Sequence, residues 1–150
     1  MADIILINPV LLAALLSWFV AQAIKIPINF CKNKKWVWVL FFQSGGMPSS
    51  HSALISSAAY AVGMFYGFDT PLFALAAVVA LIVIHDATGV RREAGKQAAA
   101  INSIFEDLLT RSKFASYERL REMLGHTPLE AFGGMFLGLA IAQIVWFLVP

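Results

Sequence analysis

The chain has little charge and almost no cysteine for its length. Only 13% of its 150 residues are Asp, Glu, Lys or Arg, whereas soluble domains carry about 25%. The single cysteine, Cys31, cannot form a bridge within the chain, so no oxidising compartment is required. A net charge of +2 is too small to indicate a nucleic-acid partner. These shortages exclude a disordered chain, a disulfide scaffold and an ordinary soluble enzyme.

Apolar residues are present in excess. They make up 59% of the chain, with a mean hydropathy of +0.74. Four stretches approach the ~20 apolar residues that cross a bilayer, at residues 8–24, 53–68, 71–90 and 131–149. No basic segment precedes the first stretch, so we interpret it as a retained span rather than a signal peptide. The sequence therefore predicts an all-α fold: one membrane domain over residues 1–150, built as a bundle of four short transmembrane helices.

The short apolar segment from Trp36 to Phe42 lies between the first two predicted spans and is flanked by lysines. It is too short to cross a bilayer, so it either lies at the interface or dips in and returns. Tryptophan side chains favour headgroup depth. Of the two, we favour the interfacial anchor over the re-entrant segment.

Residues 92–125 form the one long polar stretch. Charges of both signs alternate along it, while Ile101, Phe105 and Leu108 recur at helical spacing. This pattern predicts a cytoplasmic amphipathic helical segment that lies on the membrane surface or covers the bundle.

The order of the crossings assigns every basic residue to one side of the membrane. If the four spans alternate, residues 25–52 and 91–130 share a side, and all eleven Lys and Arg residues lie there. Short loops rich in Lys and Arg stay in the cytoplasm. We therefore expect a cytoplasmic basic face and both termini outside, in a bacterial inner (cytoplasmic) membrane or the organelle equivalent.

A first polar cluster, Gly45 to Ser52, opens the second predicted span. Pro48 favours a helical first turn, and Ser49 or Ser50 can cap it. A helix N-terminus presents unpaired N–H groups and a positive potential, which together suit an anion. His51 would lie in that first turn and reach the same anion. The pattern also fits a plain helix start, but a histidine at the membrane edge favours a functional one.

A second cluster ends the third predicted span with Asp86, Arg91 and Arg92. Ionisable groups after a long apolar run are costly in a membrane unless they pair or face a polar cavity. The arginines follow the aspartate by five and six residues, so helical geometry does not make them neighbours. We therefore expect a shared ligand or a site between helices rather than a local salt bridge. The alternative is that Asp86 neutralises Lys25 inside the bundle.

A third cluster, Gly125 to Glu130, opens the fourth predicted span. Thr127 and Glu130 fit the spacing of a capping box, with Pro128 at the first helical position. His126 has no structural explanation of comparable strength. It is a candidate nucleophile or base whose other ring nitrogen is held by a carboxylate, either Glu130 or that of Asp86.

The segments Gly45–Ala53, Asp86–Arg92 and Gly125–Glu130 resemble the divergent branch of the type 2 phosphatidic acid phosphatases. That superfamily also includes vanadium-dependent haloperoxidases. The resemblance covers nearly the whole chain, from Gln22 to Gly138. It implies a histidine nucleophile that forms a phosphohistidine and a second histidine that protonates the leaving group. It also implies cations and backbone amides that hold the phosphate, and neither a metal nor a cofactor.

Carried over position by position, the resemblance makes His126 the nucleophile and His51 the general acid. Glu130 is then the carboxylate that orients the nucleophile, and Asp86 is the second candidate carboxylate of the catalytic set. The residues expected to bind the substrate phosphate are Lys25, Ser49, Ser50, Arg91 and Arg92.

One departure from the family pattern concerns a cation. Leu120 stands where the third family motif has an arginine, with Arg119 and Arg121 on either side. We expect the missing positive charge to come from Arg91 and Arg92, which no motif matches.

The leading hypothesis is a membrane-embedded lipid phosphate phosphatase that hydrolyses a phosphomonoester or diphosphate headgroup without a metal. Its partners would be the lipid substrate and the surrounding membrane lipids, with no nucleic acid. The competing hypothesis is a non-catalytic protein that binds or carries a lipid phosphate in the same pocket. A third is a structural module packed through small residues, a surface that equally suits a homodimer. Those residues are Ser56, Ala59, Gly63, Gly134 and Gly138.

Overall fold

The computed structural model describes residues 8–42, 45–111, 119–120, 122 and 125–149. All regular structure in those ranges is helical, which confirms the all-α prediction. A short 3-10 turn at Trp38–Phe41 follows the first helix. The α-helices are α1 (Pro9–Asn33), α2 (Ser50–Tyr66), α3 (Pro71–Thr88), α4 (Val90–Arg111) and α5 (Pro128–Leu148).

Three of the helices start in the same way, with a polar cap followed by proline. The Asn8 side chain accepts from two amides of α1, and the Thr70 and Thr127 hydroxyls accept from amides of α3 and α5. Each cap satisfies N–H groups that would otherwise have no partner in an apolar environment. Proline at the next position has no N–H to satisfy and a φ angle suited to a helix.

Three helical stretches are long and apolar enough to cross a membrane. They are α1, the run from α3 into α4 (Pro71–Leu108), and α5. Helix α2 has 17 residues, which at 1.5 Å per residue rise only about 26 Å against a hydrocarbon core of about 30 Å. The fourth crossing, by α2, therefore remains a prediction.

The first helix is longer than the sequence predicts. It continues to Asn33 instead of ending near residue 24. The end of an apolar stretch does not by itself end a helix. Helix α1 stops where Lys34 adopts a left-handed conformation. The chain then turns back along α1. There the Phe41 ring packs on Trp18 and Phe19, and Trp36 stacks on Phe30. The interfacial and re-entrant alternatives for this segment both remain predictions.

Helix α2 lies at the centre of the bundle and contacts α1, α3 and α5. Two glycines of α5 permit the closest approach, because a Cβ at Gly134 or Gly138 would overlap the carbonyl oxygen of Ser49 or Ala53. The Ser17 hydroxyl of α1 also donates to the Ala53 carbonyl oxygen, at 3.1 Å. Gly134 and Gly138 therefore pack α5 against α2 within the chain, and this glycine face of α5 is not open to a second copy.

Helix α4 does not cover the bundle. This contradicts one of the two alternatives predicted for the polar stretch. Among the described elements α4 packs against α3, and the chain after it folds back along it. Asn102, 1% exposed, donates to the Leu120 carbonyl oxygen at 2.9 Å and accepts from the Leu120 N–H at 3.0 Å. The rest of the predicted 92–125 segment, at 112–118, 121 and 123–124, lies outside the described residues.

Replacing Gly138 with alanine should destabilise the bundle, because the added methyl would overlap the Ala53 carbonyl oxygen. Overpacking of this kind costs typically about 1–3 kcal/mol. The measurement is the thermal unfolding midpoint of the detergent-solubilised protein. Gly133→Ala is the matched control, since its methyl first meets the flexible end of Met47, at 3.3 Å. Equal midpoints for the two variants would contradict the close helix contact.

Candidate functional site

Two histidines from distant parts of the chain lie close together at one end of the bundle. His51 lies in the first turn of α2, and His126 comes just before α5. Their ring centroids are 6.4 Å apart. His51 is exposed, whereas His126 retains only 5% of its accessible surface. Two imidazoles at this separation can both contact one phosphate that lies beside them.

Backbone contacts with the end of α3 hold His126 in place. Its N–H donates to the Ala87 carbonyl oxygen at 2.9 Å. The preceding Gly125 is packed so tightly that a Cβ would come within 2.5 Å of the Arg92 nitrogen and 2.7 Å of the Ala87 oxygen. Only glycine fits there, so the chain reaches α3 with its backbone. The sequence signal for this contact is a glycine directly before a candidate catalytic histidine.

Glu130 joins three parts of the site. Its Oε2 accepts from the Thr127 N–H at 3.0 Å, completing the predicted capping box, and lies 3.3 Å from Nδ1 of His126. Its backbone carbonyl accepts from the Ser49 N–H at 2.9 Å, which connects α5 to the start of α2. Because a carboxylate can only accept, we assign the imidazole proton to Nδ1. Nε2 then keeps a free lone pair.

The pKa of His126 lies below the ordinary histidine value. Burial is the largest cause, because it disfavours the charged imidazolium, and the nearby charges of Lys25 and Arg91 act in the same direction. Glu130 opposes the shift through its hydrogen bond and its charge. The net effect favours a neutral imidazole near pH 7.

Two cations lie within electrostatic range of both imidazoles. Lys25 is buried in α1 at 4% exposure and also acts on the Glu130 carboxylate. Arg91, at the start of α4, acts on both histidines. In the described part of the chain, the charge of Arg92 instead acts on Glu93. Of the two predicted arginines, Arg91 is the one whose charge acts on both histidines, while the Arg92 backbone packs against Gly125.

Asp86 forms a local salt bridge with Arg91. From the sequence we expected a shared ligand or a site between helices instead. Oδ2 of Asp86 lies 2.6 Å from Nε of Arg91, and the two side chains are 36% and 61% exposed. The helical spacing rule does not apply because α3 ends at Thr88 and the chain bends at Gly89 before α4 begins. The partner of Asp86 is thus Arg91 rather than Lys25.

The glycine and serine cluster before His51 builds the start of α2. Gly45 and Gly46 have φ angles of +102° and +78°, a region that favours glycine. Ser49 is the cap, accepting from the Ser52 N–H at 3.3 Å, and its own N–H is already paired with Glu130. Ser50 follows it, 1% exposed. Ser44, which precedes the glycines, lies outside the described residues.

Arg119 and Leu120, at the place where the third family motif has its arginine, contact α4. Arg119 pairs with Glu106 at 3.5 Å and with Glu122 at 3.0 Å, and the Leu120 backbone is bound by Asn102. Arg121 lies outside the described residues. Asn102 and the Ala87 carbonyl are the two anchoring groups that sequence reasoning missed. Among the described residues, no three His, Cys, Asp or Glu side chains gather as a metal site requires.

Comparisons with known proteins point to one family. A family model described as the divergent PAP2 family matches residues 6–141. The uncharacterized membrane protein YuiD of Bacillus subtilis (strain 168) is 38% identical over 151 residues, covering 94% of this chain and 96% of the relative. No solved structure matches.

His126 should titrate below the ordinary histidine pKa of about 6.5, because burial disfavours its charged form. Glu130→Gln removes the charge that opposes this shift, so the midpoint should fall further. Since the shift is downward, the folded state should lose stability as the pH falls through about 6.5. NMR of histidine-labelled protein, assigned with His51→Gln and His85→Gln, measures the midpoints. A wild-type midpoint above 6.5, or an upward shift in Glu130→Gln, would contradict this arrangement.

Proposed function

The chain belongs to the divergent PAP2 family and is an integral membrane protein, and we propose that it is a lipid phosphate phosphatase working without a metal. One observation carries the proposal: the His51 and His126 rings lie 6.4 Å apart between centroids, and Glu130 lies at hydrogen-bond distance from Nδ1 of the buried ring. This arrangement supplies a nucleophile, the carboxylate that orients it and a general acid within reach of one phosphate.

The proposed reaction has two steps. In the first, the Nε2 lone pair of His126 forms a bond to phosphorus while the ester P–O bond breaks. Its electron pair goes to the leaving oxygen, which takes a proton from His51. In the second, water attacks the phosphohistidine and gives a proton to His51, and the electrons of the P–N bond return to Nε2. The net reaction converts a lipid phosphate and water into the lipid alcohol and inorganic phosphate.

The remaining groups of the site would hold the phosphate. Lys25 and Arg91 offer positive charge on its non-bridging oxygens, and the N-terminus of α2 at Ser50 and His51 adds N–H groups and a positive potential. Acid–base catalysis by a placed side chain typically contributes about 10²–10⁴-fold. Positioning and charge compensation would supply the rest, as in other phosphoryl transfers.

We also propose that α2 crosses the membrane as the fourth span, at the short end of the usual range. Both histidines then lie on the basic, cytoplasmic side, both termini lie outside, and the membrane is a bacterial inner membrane or its organelle equivalent. Because the short span places His51 close to the hydrocarbon boundary, a lipid phosphate would reach the site without leaving the bilayer.

A second candidate function is binding or carrying a lipid phosphate without hydrolysis. It is favoured by one feature, the absence of the third-motif arginine: Leu120 occupies that position and Arg119 pairs with glutamates instead. In this case the same pocket would hold the headgroup but lack the charge that turnover requires.

Purified protein should release inorganic phosphate from micellar lipid phosphates, and His126→Gln should reduce the rate to background. His51→Gln should lower it about 10²–10⁴-fold, because the leaving oxygen loses its proton donor. His85→Gln is the matched control, since that exposed side chain lies outside the site, and it should retain the wild-type rate. Tight lipid phosphate binding with no release in any form of the protein would favour the carrier.

The proposed orientation can be tested with the native cysteine. Cys31 is exposed on the extension of α1, so a membrane-impermeant maleimide should label it in inverted vesicles and not in intact cells. In a Cys31→Ser background, Asp69→Cys between α2 and α3 should show the opposite pattern. Labelling of both cysteines from the same side would refute the fourth crossing.

A further inference from the structure

The charges at the candidate site nearly cancel before any ligand binds. Within the described part of the chain, Lys25 and Arg91 are the cations that act on both imidazoles. Two carboxylates accompany them: Asp86 on Arg91 at 2.6 Å, and Glu130 on His126 at 3.3 Å. The favourable potential left for an anion comes largely from the helix N-termini, which are worth about half a charge each.

The two histidines would contact different parts of the substrate, and these parts differ in how much negative charge the site can stabilise. His126, buried beside Glu130, would face the phosphoryl group being transferred, and His51 would face the leaving group. The leaving oxygen of a phosphomonoester needs only a proton, which an imidazole can supply. The leaving group of a diphosphate is itself a phosphate, which carries more negative charge and needs cations. The nearby guanidinium, Arg91, is already bound to Asp86.

The space between the histidines leads to the same conclusion. The two ring centroids are 6.4 Å apart, so both imidazoles can contact one phosphoryl group bound beside them. A second phosphate that used Arg91 as its cation would approach the Asp86 carboxylate, which lies 2.6 Å from that guanidinium. Like charges in such proximity repel, even where solvent screens them in part.

We propose that the site selects lipid phosphomonoesters over lipid diphosphates, and that Asp86 enforces the choice by neutralising Arg91. This inference rests on the proposed function, and it names the substrate class of that same site. Asp86 acts through Arg91 and is a specificity-determining residue rather than a catalytic one.

The test uses a matched pair of synthetic lipids with one hydrocarbon tail, one a monophosphate and the other a diphosphate. Phosphate release gives kcat/KM for each, and quenching of the intrinsic tryptophan fluorescence gives each Kd. We expect the wild-type protein to prefer the monophosphate about tenfold or more, as expected for one uncompensated charge at a partly exposed site.

Asp86→Asn keeps a hydrogen-bonding side chain beside Arg91 but removes the negative charge. The preference for the monophosphate should then shrink about tenfold, mainly through a better KM for the diphosphate. Asp69→Asn makes the same charge change in the loop at the opposite end of α2, and it should leave the ratio unchanged. This control separates a local effect from one of net charge.

The outcomes distinguish the two proposals. Release from neither lipid would refute the phosphatase function, and the ratio of the two Kd values would still decide the selectivity. Equal or better use of the diphosphate by the wild-type protein would overturn the inference while leaving the phosphatase function standing. An unchanged ratio in Asp86→Asn would remove Asp86 from the explanation and overturn the mechanism of selection.

Discussion

Two helices running in the same direction touch at backbone distance beside the site. Gly134 of α5 lies against Ser49 and Gly138 lies against Ala53, so the contacts advance in the same sense along α5 and α2. In a bilayer, such packing replaces the hydrophobic effect as the force between helices. The Ser49 N–H then reaches the Glu130 carbonyl. Because this register sets the first turns of α2 and α5 side by side, the charges of the site can act on one another.

The features that sequence predicted are those with local causes. Capping is decided within four residues, so a cap at Ser49 or Ser50 and the box of Thr127 and Glu130 could be predicted from residue types alone, and the structure uses Ser49. That His51 and His126 share one end of the bundle was expected from an alternating order of crossings, in which the crossing by α2 is itself still a prediction. Small residues on α5 indicated close packing for the same reason, since a missing side chain is visible in the sequence.

The features that could not be predicted from the sequence depend on backbone geometry, which no residue type in the sequence indicates. The salt bridge from Asp86 to Arg91 requires the bend at Gly89, and a glycine between two helical patterns does not reveal its dihedral angles. The acceptor for the His126 N–H is the backbone carbonyl of Ala87, which any residue would provide. The fold-back of the chain onto α4 involves a buried side chain, Asn102, in a stretch whose alternating charges indicate a solvated face.

The turn from Asp86 to Arg92 contributes to the site in three ways at once. It supplies the carbonyl that holds His126, the backbone against which Gly125 packs, and the ion pair of Arg91. These three contributions come from one short piece of backbone, so a change in the length of this piece would alter all of them at once. Insertions and deletions in this turn would therefore disturb all three contributions together.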